Sequence, residues 1–421
     1  MDRRAFNRAL LATGWAAAMV PASTVAIAAQ RLTRITADVE AVTRTGGDVT
    51  LPKAALKDLQ KSLRGALLLP GNAQYDDARK VWNGMIDKRP GLIVRCSGPS
   101  DVTSAVNFAR EFDLLVAVRG GGHSISGKAV CDGGIMIDLS PIRWCTVDPD
   151  ARTARLGGGS LLGELDHESQ RFGLATPVGT VSHTGAAGLT LGGGHGRLSR
   201  SFGLTCDNVL SVDIVTADGR FLRASADENP DLYWGVRGGG GNFGVVTAFE
   251  YRLHPIGQQV YGGPILYSFD QARQILPVLE ELTATAPRSL AADLFIMAPG
   301  KRPGNFMVSV CHVGDPAQAE RVLAPLRKAV KPRIDQARTM PYAALQTSAD
   351  AGTKAGRLYY NKSGLLSRLE PDFLAMLLDQ METAAGRADP GVGSNVVIQH
   401  LGGAVADVPA DGTAYALSLI H

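Results

Sequence analysis

Cysteine is scarce in this sequence and shows no pattern. The five cysteines, Cys96, Cys131, Cys145, Cys206 and Cys311, form no C-x-x-C pair and no His/Cys cluster. Neither a zinc site nor a disulfide framework is expected. The odd count leaves at least one thiol free or intermolecular, and most read as small buried hydrophobes. Charge of one sign is lacking too. Lys and Arg number 43 against 40 Asp and Glu, for a net +3, so no nucleic-acid partner is expected. Long hydrophobic runs are missing: the stretch from Ala9 to Val20 is too short and alanine-rich for a stable membrane span. Internal repeats and low-complexity tracts are absent.

Glycine is abundant, with 49 residues, and it gathers in three loops. In the first, Ala117, Val118 and Arg119 finish an apolar run. Gly120, Gly121 and Gly122 then let the backbone approach something flat or anionic, because no Cβ intervenes. His123 and Ser124 follow, with Gly127 soon after, and Ile135 to Leu139 resumes as a strand. A histidine on such a turn is placed to touch a cofactor; a tight turn with a surface histidine is the plain alternative. The second loop, residues 177–196, includes Gly179, Thr180, Thr184, Gly185, Gly188, Leu189, Gly192, Gly193, Gly194 and Gly196. Its backbone N–H groups and small hydroxyls suit a pyrophosphate where no helix dipole is available. The third runs from Trp234 through Gly241 and Asn242 to Gly244, then Val245 and Val246. Gly239, Gly241 and Gly244 satisfy G-x-G-x-x-G. The dinucleotide fingerprint is rejected, because it must follow a strand and open a helix. Here a helix (Asp231 to Val236) precedes and a strand (Val245 to Leu253) follows.

Around the loops the pattern is α/β. Leu56, Leu59, Leu63 and Leu67 repeat at helical spacing, and Trp82 is expected to be buried. Gly91 to Cys96 reads as a buried strand, followed by a helix capped by Ser100 with Asp101 in its first turn. A helix from Leu161 to Phe172 stops at Gly173. Val209 to Ala217 turns at Asp218-Gly219 into Phe221. Past His254-Pro255 the glycine loops cease. Helices at 269–283, 315–330 (Asp315 cap, Pro316 first) and 374–384 alternate with strands at 294–298, 306–310 and 396–401.

Residues from about Pro90 to Gly257 resemble the FAD-binding domain of the vanillyl-alcohol-oxidase (p-cresol methylhydroxylase) type, and more narrowly the berberine-bridge-enzyme-like oxidoreductases. The motifs are Arg119-Gly-Gly-Gly-His123-Ser124, Gly185 to Gly196, Leu198 through Asp207-Asn208, and Arg237 to Val246. The resemblance implies an α+β fold: a two-subdomain FAD-binding domain of the p-cresol methylhydroxylase type plus an α/β substrate domain with an antiparallel sheet. It divides the chain into an N-terminal segment (29–87), an FAD-binding domain (88–257) and a substrate domain (258–421). That last domain stops short of the family's usual C-terminal segment and is expected to be truncated. FAD is the implied cofactor, held by the loop residues named above with Asp207 and Asn208. His123 matches the histidine that bonds the flavin 8α-methyl. Val181 stands where some relatives carry a second, cysteine tether, so one covalent link is expected. Thr184 matches an oxygen-gating position and favours an oxidase. His195 and Arg197 replace apolar or aromatic residues of relatives. No catalytic base can be matched; Tyr359, Tyr360, Gln399 and His400 are candidates to face the ring, with core or surface roles open for each.

Residues 1–28 read as a twin-arginine signal, with Arg3-Arg4, the apolar run and an Ala26-Ile27-Ala28 cleavage site; an uncleaved amphipathic N-terminus is the alternative. The expectation is a periplasmic or secreted FAD-dependent oxidase, exported by the twin-arginine machinery. It would take a hydride from an alcohol, sugar or similar small-molecule CH–OH or CH–NH donor, with molecular oxygen reduced to hydrogen peroxide. A flavin reductase of the enolpyruvyl-sugar type and a crippled, non-catalytic flavin-binding homologue remain as alternatives.

Overall fold

A computed structural model describes residues 33–300, 304–387 and 392–416. The twin-arginine and cleavage-site residues and the C-terminal Leu417 to His421 lie outside the described residues.

Three sheets organise the chain. The first has four strands in the order Ala66–Leu68, Leu92–Arg95, Ile135–Asp138, Val116–Arg119. The last three are parallel, and Ala66–Leu68 joins antiparallel, so the N-terminal segment is built into this unit. Leu92, Ile93, Val94, Ile135, Met136 and Ile137 are all buried, the near-continuous apolar signature of strands covered on both faces. Helix Lys53–Ser62 presents Leu56 and Leu59 to this core. The leucine spacing overran it: Leu63 caps the helix in extended conformation and Leu67 lies in the following strand. The helix Pro99–Glu111 starts from Gly98, without a side-chain cap, so Ser100 does not cap it. Asp101 serves another purpose. Its carboxylate accepts the backbone N–H groups of Arg64, Gly65 and Ser97 and pins the preceding turn.

The second sheet is wholly antiparallel, ordered Phe221–Ser225, Val209–Val215, Val245–Arg252, Thr153–Gly157, Cys145–Asp148. The Asp218-Gly219 hairpin is present, with Gly219 at φ 82°. Helix Pro230–Val236 precedes the third loop and strand Val245–Arg252 follows it, the order that excludes a dinucleotide fingerprint. The helix Leu162–Gln170 is followed by Gly173 at φ 66°.

The third sheet is antiparallel and six-stranded, built on Gln259–Ser268, Asn305–His312, Leu290–Ala298 and Ser394–Ile398. Side chains alternate across it. Leu294, Ile296, Val308 and Val310 pack into a core with helices Phe269–Thr285, Pro316–Ala329 and Pro371–Arg387. Asp315 caps the second of these by accepting the Ala317 N–H at 2.9 Å, with Pro316 first. The opposite face carries Cys311, which shares a buried cluster with Leu198 of the second glycine loop region and with Ile256 and Tyr342. Farther along that face lie Ser309, Asp293, Phe295 and Met307. The all-antiparallel sheet thus lies against the glycine-loop half. All five cysteines are free thiols. Among the described residues, no helix is long and apolar enough to cross a membrane, and no His/Cys/Asp/Glu cluster could hold a metal.

Candidate active site

The first glycine loop leaves the carboxyl end of the parallel strand Val116–Arg119, where open α/β sheets place their ligands. Asp138, 1 % exposed at the end of the neighbouring strand, receives Arg119 and Arg95, each at 3.2 Å. This pairing fixes the strand ends from which the loop springs. Gly122, at φ 74°, sits over the Arg119 guanidinium, where a side chain would be both strained and crowded.

The first two loops interlock through their backbones. A Cβ on Gly121 would fall 2.6 Å from Gly185 N, and one on Gly185 would fall 2.7 Å from Gly121 Cα. Those two glycines therefore serve loop against loop. The third loop joins through Gly240 N–H donating to Leu191 O at 2.8 Å. Gly193 and Gly238 accept the Tyr415 side of the C-terminal stretch, and Gly194 packs on Thr205. Contrary to the expectation of no helix, the second loop contains one, the short Ala186–Leu191. Gly188 and Gly241 have open space over them, with no atom within 4 Å of an added Cβ. Asp207 accepts the Leu204 N–H at 2.7 Å; Asn208 donates to Phe202 O and Leu204 O and accepts from His254. Both hold the loop in shape. Gly127 packs on Ile86, while Val245 and Val246 are buried in the cores.

His123 lies at the centre of a ring cluster. Trp82 stacks on it at 4.0 Å between centroids and on His183 at 4.8 Å, both with 23° between planes. His123 Nε2 and His183 Nδ1 share a hydrogen bond of 2.9 Å. Thr184 Oγ1 lies 3.4 Å from His123 Nδ1. Burial, reinforced by the adjacent His183, lowers the His123 pKa to about 4, so the imidazole is neutral at pH 7. Trp82 is half-buried against this histidine rather than lost in a core. Its backbone N–H donates to Gly122 O at 2.8 Å.

Asn83 is 2 % exposed and ties this cluster together. Its amide donates to Ile125 O at 2.8 Å and Tyr359 O at 2.9 Å, and accepts from the N–H groups of Tyr359 (2.9 Å) and Met85 (3.1 Å). Tyr359 thus reaches the His123 cluster, with its ring 6.2 Å from Trp82. The other candidates do not. Tyr360 is 76 % exposed, His400 is tied to Thr283 O within the third sheet's unit, and Gln399 pairs with His195 Nδ1 at 3.1 Å. Sequence reasoning passed over Asn83 and His183. His183 carried one available signal, being a second imidazole inside a glycine loop; Asn83 carried none.

Arg197 is 7 % exposed and donates to Ser309 at 2.9 Å and Ser348 at 3.4 Å, both in the second half of the chain; its Nε has no partner. Each glycine-loop region also holds a buried donor without a partner: Arg119 Nε, Thr205 Oγ1 and Arg237 Nε. Buried donors demand acceptors. A group bringing phosphates, hydroxyls and ring carbonyls along all three loops fits this donor set, and the open ground over Gly188 and Gly241 admits it.

A family model described as an FAD binding domain matches residues 90–225. An FAD-linked oxidoreductase of Dictyostelium discoideum is 33 % identical over 355 residues, covering 83 % of this chain and 76 % of that protein. The chain belongs to the FAD-linked oxidoreductases. Its cofactor is FAD. This FAD-linked oxidoreductase is also 36 % identical over 269 residues to (R)-6-hydroxynicotine oxidase of Paenarthrobacter nicotinovorans, covering 63 % of the chain and 58 % of that enzyme. Among solved structures, 6-hydroxy-D-nicotine oxidase of Arthrobacter nicotinovorans matches with a TM-score of 0.65 and 33 % identity, over 70 % of this chain and 66 % of that one. A berberine bridge enzyme variant matches in fold, with a TM-score of 0.75 at 20 % identity over 85 % and 75 % of the two chains.

Proposed function

We propose that this FAD-linked oxidoreductase is an oxidase that carries its flavin on His123, oxidises a small CH–OH or CH–NH donor and reduces dioxygen to hydrogen peroxide. FAD supplies the hydride acceptor. The observation that carries the reading is the state of His123. It is a half-buried, neutral imidazole on the first glycine loop, stacked on Trp82, with Nδ1 engaged, among the described residues, by a long contact to Thr184 alone. A neutral imidazole nitrogen is a competent nucleophile, and a covalent tether keeps the cofactor in place. Thr184, half-buried beside it, is small enough to leave dioxygen a path. With Val181 in place of a second thiol, a single tether is expected.

The third sheet's inward face supports a substrate class. Phe295, Met297 and Met307 are half-buried there, with Val397 48 % exposed. Arg197, His195 and Gln399 sit where that face meets the second glycine loop. Apolar side chains beside the polar Arg197, His195 and Gln399 suit an alcohol or amine with an apolar body and a polar end. Export through the twin-arginine route would suit a protein that loads its cofactor before crossing a membrane.

The test is flavin fluorescence in a denaturing gel under acid, with His123→Ala beside the wild type, followed by peroxide release over a panel of apolar alcohols and amines. A fluorescent wild-type band that vanishes in the variant, with peroxide formed on turnover, is expected. A dark wild-type band would remove the covalent tether, and substrate-dependent flavin bleaching without peroxide in air would remove the oxidase.

A further inference from the structure

We propose that Asp166 and Gln346 form a pH-sensitive latch by which the second half of the chain grips the second glycine loop, tight when Asp166 is protonated and loose when it is ionised. The inference goes beyond the reading above and depends neither on the flavin tether nor on the oxidase. Its first support is the geometry of the grip. Helix Tyr342–Gln346 and the 3₁₀ helix Thr347–Gly352 that continues it meet the loop at two points. Gln346 Nε2 donates to Gly179 O at 3.2 Å. Asp350 accepts the Ser182 N–H at 2.9 Å and the Ser182 hydroxyl. Residues 179 and 182 lead directly into His183 and Thr184, so one short segment holds the loop just before the ring cluster.

The second support is Asp166 itself. It lies on helix Leu162–Gln170 and is 4 % exposed. Among the described residues it has no ion pair, and its side chain bonds to one group, the same Gln346 amide, with Nε2 3.2 Å from Oδ2. A buried carboxylate without a cation is costly to ionise. The third support is Gln346 Oε1, which is buried without a partner among the described residues. A buried acceptor calls for a donor, and a protonated Asp166 supplies one. An acid O–H can donate to the amide carbonyl while the amide N–H donates to the acid carbonyl, which satisfies both groups at once. An ionised Asp166 has no proton to give.

The groups that face Asp166 agree with this. Asp350 is the charge that acts on it from the gripping segment. Tyr342, on the same segment, has a buried hydroxyl without a partner among the described residues, and Cys311 and Arg197 lie around that ring. Burial keeps the phenol neutral and pushes the Cys311 thiol up to about 12. Arg197 donates to Ser309 and Ser348. On the helix of Asp166, Glu164 pairs with Arg143 and His167 with Glu168, all partly exposed. Burial raises the Asp166 carboxyl to about 7, the Gln346 bond opposing and the Asp350 charge assisting. An opened, hydrated Asp166 has the ordinary value of 3.8. The closed form therefore binds more protons between about pH 4 and 7. The latch is fully engaged below that window and weakens as pH rises through it.

The experiment is native-state hydrogen exchange on the full chain with its flavin, from about pH 5 to 8. Wild type, Asp166→Asn and Gln346→Met are compared at each pH, so the intrinsic pH dependence of exchange cancels. Asp166→Asn keeps a donor for Oε1 and an acceptor for Nε2 and cannot ionise. In peptides covering residues 177–184 and 342–352, the ratio of wild-type to Asp166→Asn exchange should rise about 50-fold from about pH 5 to 7, the linkage expected of one such carboxyl. Strand Ile135–Asp138 should show no such rise. Gln346→Met keeps the length of the side chain and removes both of its bonds, so at the acid end it should exchange faster than Asp166→Asn in these peptides. A ratio that stays within about threefold across the range would overturn the latch. An equal rise in Ile135–Asp138 would overturn it too, because the titration would then act on the whole fold. Exchange in Gln346→Met as slow as in Asp166→Asn would show that the amide does not hold the loop. None of these readouts uses turnover or a covalent flavin, so failure of the latch and failure of the tether are seen separately.

Discussion

Replacing Asn83 with alanine should open the shield over His123 without unfolding the protein. The side chain makes four hydrogen bonds between 2.8 and 3.1 Å, to Ile125, Met85 and both polar backbone atoms of Tyr359. At about 1 kcal/mol net apiece, and with the Tyr359 groups able to recover some hydration, the loss is about 3 kcal/mol. The loss is local, because these bonds join two irregular segments. Gly84 N–H to Arg357 O and Gly356 N–H to Trp82 O, both 2.9 Å, would remain. Native-state hydrogen exchange reports such local openings directly. At about 1.4 kcal/mol per tenfold, amides in peptides covering residues 82–86 and 356–360 should exchange about 100-fold faster in Asn83→Ala. Strands Ile135–Asp138 and Asn305–His312 should be unchanged. Exchange within threefold of wild type in both segments would refute the idea that Asn83 is what closes the cluster. Equal acceleration everywhere would refute the local character of the effect.

Gly121→Ala should separate the first two glycine loops, because the added carbon meets the Gly185 backbone, which has no flexible end to move. Overpacking of this kind costs about 1–3 kcal/mol, and a lower melting temperature together with lost flavin is expected; an unchanged flavin content would refute the interlock. The second expectation concerns pH. His254 donates to Asn208 at 2.6 Å, stacks on Phe202 and is held down to about 4 by burial and by Arg252. A histidine pKa below its unfolded value means the unfolded chain binds more protons between about pH 4 and 6.5, so its native state loses stability as pH falls through that window. His254→Gln keeps a donor but no titration. Relative to this variant, the wild type should lose stability on acidification from pH 6.5 to 4.5, by at most about 1.4 kcal/mol per pH unit, measured by urea unfolding. Parallel pH profiles would refute the assignment.

The elements most legible in the sequence were those set by local chemistry. The apolar runs at 92–95 and 135–138, the Asp218-Gly219 hairpin and the Asp315-Pro316 helix start needed only nearest neighbours to be read. The third loop's context was legible for the same reason, and it correctly removed a tempting motif. Leu67 was misread because helical spacing continued by coincidence into a strand, and the boundary came from the extended backbone at Leu63. Ser100 was misread because the helix starts one residue earlier, with Pro99 first after Gly98, so Ser100 already lies inside it, and Asp101 turns its carboxylate to Arg64 and Gly65. At the site, His123 announced itself by sitting on a glycine turn. Its neighbours did not, because Trp82, Asn83, His183 and Tyr359 come from three separate segments that only the fold unites. The glycines were legible as loops, but their assignment to a ligand was incomplete. Gly121 and Gly185 face each other, which no reading of one loop alone can foresee.

The bond between Asn83 and Tyr359 spans 276 positions of chain, and this separation orders events in time. A growing polypeptide exposes residue 123 long before residue 359 exists. Until then Trp82 is held to the first loop by its N–H bond to Gly122 O, and the Asn83–Tyr359 bonds on the other side of the cluster are missing. Only when the second half has been made and has folded back does Tyr359 join the ring cluster. Contacts of such long sequence separation form late in folding. The enclosure of the His123 cluster is therefore completed by the second half, and a nascent fragment holding every glycine loop would still lack Tyr359 beside Trp82.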